Sequence, residues 1–315
     1  MNVEESKFKP VMSVLICTHN PREDYIARVL QALAEQTLSK SVWELILIDN
    51  ASHQPLSSII NLGWHPLARY VREEKLGLTP ARLRGIEEAR SDLLVFVDDD
   101  NVLKTGYLEI TLEISKEFSM LGAWGGQIIP EFEASPPDWL KTNQEILGYL
   151  ACRIFDENKW SNLVHEYRTT PCGAGLCVRR AVARKYAELV LQDSQRSSLD
   201  RKGKDLSSCG DYDLAFTACD VGLGVGKFAS LKLTHLIPPE RLQENYLLQL
   251  VERVDYSIIM LEFLRERKIP RLNWRSSKIY SFYIGLRYGF RESRFYEASQ
   301  RGKKLAIKEL SRLLS

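Results

Sequence analysis

The stretch LLVFVDDDN, residues Leu93–Asn101, joins a short apolar run directly to three consecutive carboxylates. A nearly continuous run of apolar residues is typical of a strand that is buried on both faces of a parallel sheet. Asp98, Asp99 and Asp100 follow this strand at once. At a separation of about 5 Å and an effective dielectric constant of about 20, each pair of ionised carboxylates costs roughly 3 kcal/mol. The cluster therefore indicates a site for a positively charged ligand.

The three carboxylates differ in where an extended chain would point them. Alternate side chains of a strand lie on the same side, so Asp98 and Asp100 are expected to face one way and Asp99 the other. Proteins usually hold Mg²⁺ or Mn²⁺ with one or two carboxylates, water and substrate phosphate. The pattern predicts such a metal ion with a nucleotide diphosphate as co-ligand, and only a supporting role for Asp99. The alternative is a solvated acidic loop, which the preceding apolar run disfavours.

Two further segments have the composition of buried strands, SVLICT at Ser13–Thr18 and WELILID at Trp43–Asp49. Helical patterns lie between the three strands, at residues 22–36 and 79–91. Strands that alternate with helices indicate an α/β fold, with right-handed crossovers and a mainly parallel sheet that is flanked by helices.

Three details add to this outline. Thr79 is a candidate N-cap, with Pro80 at the first helical position. Residues 121–150 mix glycine, proline and aromatic residues, as a binding loop over a scaffold does. Residues 194–216 form a polar loop that runs into a helical pattern.

Polar residues end all three predicted strands, including Thr18 and Asn20 after the first and Asp49 at the end of the second. In open α/β sheets, ligands bind outside the carboxyl ends of the strands. Solvation alone would explain any one of these polar ends, but three such ends favour a shared binding edge.

The second half of the chain adds three candidate functional residues. Asp211 lies near the start of a helical pattern, where it is either an N-cap or a general base for a hydroxyl group. His235 follows a strand-like segment and is either structural or a metal ligand. Arg241 comes six residues later and can pair with phosphate oxygens.

Composition excludes several classes of protein. The 315 residues are 44% hydrophobic and 27% charged, which is typical of an ordinary globular protein. A net charge of +2 gives no general attraction to nucleic acid, and no nucleic-acid partner is expected. Residues 1–10 lack the apolar region of a secretory signal, and no apolar run approaches a membrane span. These features predict a cytoplasmic protein.

Six cysteines are present, without a CxxC pair. We interpret them as reduced core thiols, since a zinc site would need a recognisable ligand spacing and disulfides would need an export signal.

The chain from Arg271 onward is strongly basic, with Arg275, Lys278 and Arg287 among its cations. Residues 278–296 interleave aromatic residues with arginine. Such a segment could lie on the inner face of an anionic plasma membrane. The alternative is a helical appendage that packs on the rest of the chain or on a second subunit, as in a homodimer.

Taken in order, these segments resemble glycosyltransferase family 2, the inverting sugar-nucleotide transferases of GT-A fold, and bacterial polysaccharide-type members in particular. The resemblance extends over most of residues 11–240. It is carried by the segments VLICTHNPRE, WELILIDNAS, EKLGLTPARLRGIEEA, LLVFVDDDN, GAGLCVRRAV, GDYDLAF and THLIPPERL. One departure stands out, because Gly210 replaces the glutamate that the family usually has before Asp211.

The resemblance implies a role for each matching residue. Nucleotide and donor contacts fall on Thr18, Asn20, Asp49, Arg82, Asp98, Asp99 and Arg241. The metal falls on Asp100 and His235, and the base on Asp211. The acceptor side falls on Gly173, Gly175, Asp213 and Trp139. Because Gly210 breaks the expected acidic pair, either Asp211 or Asp213 remains open as the base.

The implied activity is a metal-dependent transfer of a sugar, of hexosyltransferase type, from a nucleotide-diphosphate donor to a saccharide or lipid-linked hydroxyl, with Mn²⁺ or Mg²⁺ as cofactor. Residues 1–240 would form the GT-A domain, and residues 241–315 a basic, helical C-terminal extension. The segments 130–170 and 192–209 would define the acceptor. Two alternatives are a nucleotidyltransferase, which would want a glycine-rich loop after the first strand, and a non-catalytic nucleotide or carbohydrate-binding module.

Overall fold

The computed structural model describes residues 9–203, 205–270 and 274–314, with the side chains of residues 274–277 left aside. Residues 1–8, on which the expectation about a signal sequence depends, and Arg271 and the side chain of Arg275 in the basic tail lie outside this description.

Strands and helices alternate through the first half of the chain, as the sequence predicts. The strands are β1 Met12–Thr18, β2 Trp43–Asn50, β3 Ala68–Glu73, β4 Leu93–Val97, β5 Asn101–Leu103, β6 Leu121–Phe132, β7 Lys159–Ser161, β8 Cys177–Arg179 and β9 Gly224–Ile237. The helices are α1 Glu23–Ala34, α2 Leu78–Glu88, α3 Tyr107–Glu117, α4 Asp138–Lys141, α5 Gln144–Tyr149, α6 Arg180–Gln192, α7 Gly210–Asp220, α8 Glu244–Glu266, α9 Trp274–Tyr288 and α10 Phe290–Leu313.

One mixed sheet runs in the order β3-β2-β1-β4-β8-β6-β9-β5, and β7 pairs with β9. Neighbours β3, β2, β1 and β4 are parallel, as are β6 and β9, whereas β8 is antiparallel to both β4 and β6. The predicted strands at Ser13–Thr18, Trp43–Asp49 and Leu93–Asp98 are confirmed to within one residue at each end. Their carboxyl ends lie at one edge of the sheet.

Helices cover both faces of this sheet. Val14 and Ile16 of β1 pack in a cluster with Val29 of α1, while Leu15 packs in a second cluster with Ile86 of α2. All five side chains are buried. Burial of a side chain of this size contributes roughly 1.5–3 kcal/mol, which explains why β1 reads as a continuous apolar run rather than an alternating one.

The expectation of a binding loop over residues 121–150 is wrong for its first part, because β6 is a long strand near the middle of the sheet. Its glycines mark close packing. A Cβ built on Gly126 would lie 2.1 Å from the backbone oxygen of Leu231, where the pairing of β6 with β9 shifts register. Glycine in a strand often marks such an irregularity.

The predicted N-cap of the second helix is also wrong. Helix α2 begins two residues earlier, at Leu78, and its N-cap is Gly77, whose φ of 139° lies in a region that L side chains rarely adopt. Thr79 is inside the helix, and its hydroxyl donates to Asp200 Oδ2 at 2.8 Å. A distant partner therefore uses the hydroxyl that local pattern assigns to a cap.

Helices α8, α9 and α10 follow the sheet, as the sequence predicts for a helical C-terminal region. Helices α8 and α10 pack so closely that a Cβ on Gly302 would lie 2.0 Å from the backbone oxygen of Glu252. Phe295 and Ala298 of α10 join a core cluster with Leu247 of α8. Within the described residues, no helix combines the length and the apolar character needed to cross a bilayer.

Candidate active site

A cleft of about 340 Å³ opens at the carboxyl ends of β1 and β4. Its wall is built by the residues after β1, the start of α2, the turn after β4, residues 172–174, residues within 200–203 and 207–211, His235 and Arg241. Helix α8 completes it with Tyr246, Leu250 and Val254. The cleft lies at the edge where polar strand ends predict a binding site.

Asp98, Asp99 and Asp100 all line the cleft. The prediction that Asp99 faces away is wrong, because β4 ends at Val97 and the next residues turn, with the Asn101 N–H donating to the Asp98 carbonyl at 3.1 Å. Strand alternation no longer holds in a turn. The Thr18 hydroxyl donates to Asp99 Oδ2, which brings the ends of β1 and β4 together.

Asp100, His235 and Arg241 form one cluster. Asp100 Oδ2 lies 3.4 Å from His235 Nε2 and 3.2 Å from Arg241 Nη1. The pairing of β5 with β9 sets this geometry, since Asn101 lies opposite His235. Burial alone would raise the pKa of Asp100, but the charges of His235 and Arg241 outweigh it and hold that pKa below its usual range.

The donor atoms here suit a metal ion whose coordination shell is completed by the substrate. Asp100 Oδ2 and His235 Nε2 can supply two ligands, and His235 Nδ1 is buried without a hydrogen-bond partner. Across the described ranges, no three His, Cys, Asp or Glu side chains converge as a full metal cage. Mg²⁺ and Mn²⁺ usually take one or two protein ligands plus water and phosphate, so two groups fit that pattern.

The other two carboxylates of the turn hold protons more tightly. Burial, and then the neighbouring charge of Asp100, raise the pKa of Asp99 to about 7. The same two causes, in the same order, raise the pKa of Asp98. Three adjacent acids with such different affinities for a proton are typical of a functional site rather than of a solvated loop.

Asp211 lies in the first turn of α7 and lines the same cleft. Its Oδ2 accepts from the Gly173 N–H at 2.7 Å and its Oδ1 from the Tyr212 N–H at 2.9 Å. Burial raises the pKa of Asp211, while the nearby Arg82 guanidinium opposes this rise. A fixed carboxylate with a raised pKa is a suitable general base.

A sequence profile described as "Glycosyl transferase family 2" matches residues 13–174, which include the predicted strands and the carboxylate turn. This match covers more than half of the chain.

The chain belongs to glycosyltransferase family 2.

Relatives within glycosyltransferase family 2 come from all domains of life. Polypeptide N-acetylgalactosaminyltransferase 3 of Drosophila melanogaster is 32% identical over 113 residues, which are 34% of this chain and 17% of that protein. A Bacillus subtilis protein, TuaG, whose name links it to teichuronic acid biosynthesis, is 27% identical over 148 residues, which are 46% of this chain and 57% of that protein. Glycosyltransferase AglE of Haloferax volcanii is 32% identical over 94 residues, which are 29% of this chain and 31% of that protein. The chain thus spans less than two thirds of each.

The fold is the GT-A fold of this family. The structure of Staphylococcus aureus TarS, residues 1–349, matches with a TM-score of 0.50 and 13% identity, covering 96% of this chain and 92% of that one. The same TarS fragment has been solved in complex with UDP and with UDP-GlcNAc.

Two buried residues that sequence reasoning did not single out complete the family 2 cleft. Asp200, before α7, accepts from Arg82 Nη1 at 3.1 and 3.0 Å, so Arg82 lines the cleft as a paired cation. Asn50 lines the cleft at the end of β2, and its Oδ1 accepts from the Gly77 N–H at 2.8 Å. Asn50 is one of the polar residues that end the second predicted strand, whereas no local pattern marked Asp200.

Two predicted donor residues hold loops instead of lining the cleft. Asp49 accepts from the N–H groups of Ser52 and Leu56, each at 3.0 Å, and from Arg72 Nη1 at 2.8 Å. Those hydrogen bonds outweigh its burial and lower the pKa of Asp49. The backbone N–H of Asn20 donates to Ser52 Oγ at 2.9 Å. Asp49 and Asn20 thus join the loops after β1 and β2, and their nucleoside contacts remain predictions.

Three of the predicted acceptor-side residues, Asp213, Trp139 and Gly175, do not line the cleft. Asp213 is fully buried and pairs with Arg196 at 2.6 Å and Arg265 at 2.7 Å. Because Asp213 comes two residues after Asp211, it lies on nearly the opposite side of α7, toward the protein interior. Trp139 packs on α10, with the Arg291 guanidinium 4.7 Å from its ring.

Gly175 is the third of these residues. It has a φ of +68°, and its carbonyl accepts from the Tyr107 hydroxyl at 2.7 Å. A Cβ there would lie 2.5 Å from that hydroxyl oxygen, so Gly175 serves a close contact within the fold. Gly173 alone of the acceptor-side set lines the cleft, where its N–H holds Asp211.

Proposed function

We propose that this protein is an inverting, metal-dependent glycosyltransferase that moves a sugar from a nucleotide-diphosphate donor to a hydroxyl acceptor. One observation carries the proposal: the Asp98–Asp100 turn, with His235 and Arg241, lines the same cleft as the carboxylate of Asp211. Family membership adds the expected class of reaction. A direct displacement requires a site for the diphosphate and a base within one cleft.

In the proposed reaction, the Asp211 carboxylate takes the proton of the acceptor hydroxyl. The acceptor oxygen then bonds to the anomeric carbon on the face opposite the diphosphate. The bond from that carbon to the diphosphate oxygen breaks, and the electron pair leaves with the nucleoside diphosphate. A single displacement of this kind inverts the anomeric centre, through a transition state with oxocarbenium character as in glycoside hydrolysis.

The leaving diphosphate gains charge as the bond breaks. Arg241 lies at the cleft beside Asp100 and can pair with phosphate oxygens. Asp100 and His235 would hold Mn²⁺ or Mg²⁺, which neutralises negative charge on phosphate when bound. Asp98 would contact the ribose, with Thr18 and Asp99 next to it. Asp49 and Asn20 are proposed to support the nucleotide from the surrounding loops, and Arg82 from α2.

We propose a saccharide or a lipid-linked saccharide as the acceptor, in synthesis of a surface glycan or polysaccharide. The name of the relative TuaG, which refers to teichuronic acid, supports this direction. Tyr246, Leu250 and Val254 of α8 add an apolar wall on which the face of a sugar ring could pack. Residues 130–170 and 192–209 remain the proposed source of acceptor choice.

A panel of nucleotide sugars tests the proposal. Thermal shift with UDP, GDP and dTDP in the presence of Mn²⁺ identifies the nucleotide, since a ligand at 100 times its dissociation constant adds about 2.7 kcal/mol. Release of nucleoside diphosphate from the matching sugar donor then measures turnover. We expect chelation and Asp100→Ala each to abolish release, and Leu191→Ala on the exposed side of α6 to leave it unchanged. Full activity of Asp100→Ala would refute the metal assignment, and binding without turnover would indicate a non-catalytic module.

The C-terminal helices carry a surface that we assign to an anionic membrane at the inner face of the plasma membrane. A stripe of three apolar side chains at helical spacing on α9 is 69–74% exposed: Ile279, Phe282 and Leu286; Phe290, at the start of α10, is 84% exposed. Exposed Lys278 and Arg287 flank this stripe, and the sequence has no acidic residue between positions 267 and 291. An apolar stripe flanked by cations complements an interface of anionic lipid.

Flotation with phosphatidylcholine vesicles, with and without phosphatidylserine, tests this surface. We expect the protein to float only with phosphatidylserine, and the double variant Phe282→Glu/Leu286→Glu to stay behind. Leu191→Glu, which changes an equally exposed leucine on α6, serves as the matched control. Loss of a dimer in the double variant, with no vesicle binding by the wild type, would instead assign the stripe to a contact between two copies.

A further inference from the structure

The carboxylate of Asp200 fills the space next to Gly210, at the start of α7. A Cβ built on Gly210 would lie 2.4 Å from Asp200 Cγ and Oδ2 and 2.5 Å from its Oδ1. Gly210 is absent from the glycines with positive φ, so its backbone would accept a side chain. Position 210 therefore needs a glycine, because the Asp200 carboxylate of the preceding loop occupies the space of a side chain there.

Asp200 is held in that space by two partners on α2. Its oxygens accept from Arg82 Nη1 at 3.0 and 3.1 Å and from the Thr79 hydroxyl at 2.8 Å. The side chains of Arg82 and Asp200 are 6% and 5% exposed. Removing one member of a buried ion pair leaves the other charge without compensation, so Arg82 would need another anion.

The nearest alternative anion is Asp211. Both groups border Gly173, because a Cβ built there would lie 2.9 Å from Arg82 Nη2 and 3.3 Å from Asp211 Oδ2. If Arg82 paired fully with Asp211, the carboxylate that takes the acceptor proton would be bound to a cation and would be a weaker base.

We propose that Asp200 is a positioning residue that keeps Arg82 paired, and thereby leaves Asp211 available as the base. Asp200 supplies from a loop the second carboxylate of this part of the cleft, in the volume that a side chain at position 210 would otherwise occupy. This inference rests on the proposed function, since it assigns the partner of the proposed base.

The electrostatics around Asp211 agree with this arrangement. Burial raises its pKa most, the Arg82 charge lowers it, and the Asp200 charge raises it again. Cys209 and Tyr212, the adjacent titratable groups of α7, have pKa values raised well above their usual ranges and stay neutral at neutral pH. Loss of the Asp200 charge should therefore lower the pKa of Asp211.

Release of nucleoside diphosphate, measured as a function of pH with the donor found by the panel, tests the inference. We expect Asp200→Asn, which keeps an acceptor for Thr79, to lower kcat about tenfold or more with a donor KM changed by less than about threefold. The acidic limb of its kcat profile should move to lower pH. A role limited to stability would leave that limb in place.

A compensating exchange gives the second test. Asp200→Ala and Gly210→Glu should each lose activity, the first for want of a partner for Arg82 and the second through overlap with Asp200. The double variant Asp200→Ala/Gly210→Glu returns a carboxylate to the same volume, and we expect at least a tenfold recovery of kcat over either single change.

Arg196→Gln, which breaks the buried pair with Asp213 outside the cleft, is the matched control. It should lower the melting temperature without moving the pH profile. Asp200→Asn with unchanged kcat and pH profile, or a folded double variant no better than the single variants, would overturn the inference alone. A wild-type protein that turns over no donor would overturn the proposed function, and the inference with it.

Discussion

Three neighbouring carboxylates after β4 differ in proton affinity because each has different partners. Asp100 faces His235 and Arg241, whereas Asp99 has the Thr18 hydroxyl as its hydrogen-bond donor and the charge of Asp100 close by. In the absence of substrate, ionisation of Asp99 in this turn costs free energy, because its pKa is raised. Such a cost is expected where residues are arranged for a ligand rather than for stability.

Asp99→Asn should therefore stabilise the ligand-free protein at high pH. The folded pKa of Asp99, about 7, exceeds the unfolded value of about 3.9, so the native state binds an extra proton between these pH values. Stability then falls as pH rises from about 4 to 7, and the full penalty applies above pH 7. We expect the variant to gain roughly 1–3 kcal/mol at pH 8 and little at pH 4.5, as measured by urea denaturation.

Asp156→Asn, which changes an exposed carboxylate outside the cleft, is the control for this comparison. A variant at Asp99 that loses stability equally at both pH values would show that its hydrogen bond matters more than its charge.

The sequence predicts functional residues where one local pattern suffices. The carboxylate turn, Asp211, His235 and Arg241 each follow a recognisable strand or helix start, and the fold brings all of them to one cleft. Asp200 could not be found this way, because its partner Thr79 is 121 residues away in the chain. Asp213 shows the opposite case, since its helix turns a well-placed acid away from the cleft.

At the scale of elements, buried parallel strands were predictable and the glycine-rich strand was not. The strands β1, β2 and β4 have continuous apolar sequences because helices cover both faces of the sheet. Strand β6 has the composition of a loop because its glycines leave room for neighbouring side chains. A Cβ on Gly122, for example, would overlap Ala218 and Val182. Composition indicates the local preference for a strand, helix or loop, whereas these glycines are needed for close packing against distant segments of the chain.

Gly126→Ala should test this explanation of β6. Its Cβ would lie 2.1 Å from the backbone oxygen of Leu231, which can move only with the strand that carries it. We expect a loss of about 2–3 kcal/mol in the free energy of unfolding, as overpacking of a rigid site causes. Gly106→Ala is the control, because the nearest atom to its Cβ, at 3.6 Å, is in the flexible side chain of Ile110. Equal losses from the two variants would contradict a packing role for Gly126.

At the scale of the whole molecule, the C-terminal helices are tied to the catalytic cleft. The sequence predicts a GT-A domain over residues 1–240 and an extension over residues 241–315, and that division remains a proposal. Helix α8 lines the cleft with Leu250 and also packs on Leu140 and Leu147 in a shared core cluster. Helix α8 of the extension therefore forms part of the wall of the candidate site rather than only a surface.

Truncation after residue 268 removes α9 and α10 and should destabilise the whole chain. Phe295 and Leu310 of α10 are almost fully buried, and their loss exposes the face of α8 that they cover. Burial of each such side chain is worth roughly 1.5–3 kcal/mol, so we expect a loss of several kcal/mol and a melting temperature lower by many degrees. Phe282→Glu in the full chain, which changes an exposed residue of α9, should leave the melting temperature nearly unchanged. Scanning calorimetry compares the three proteins, and an unaltered transition in the truncated chain would mean that α9 and α10 form an independent appendage.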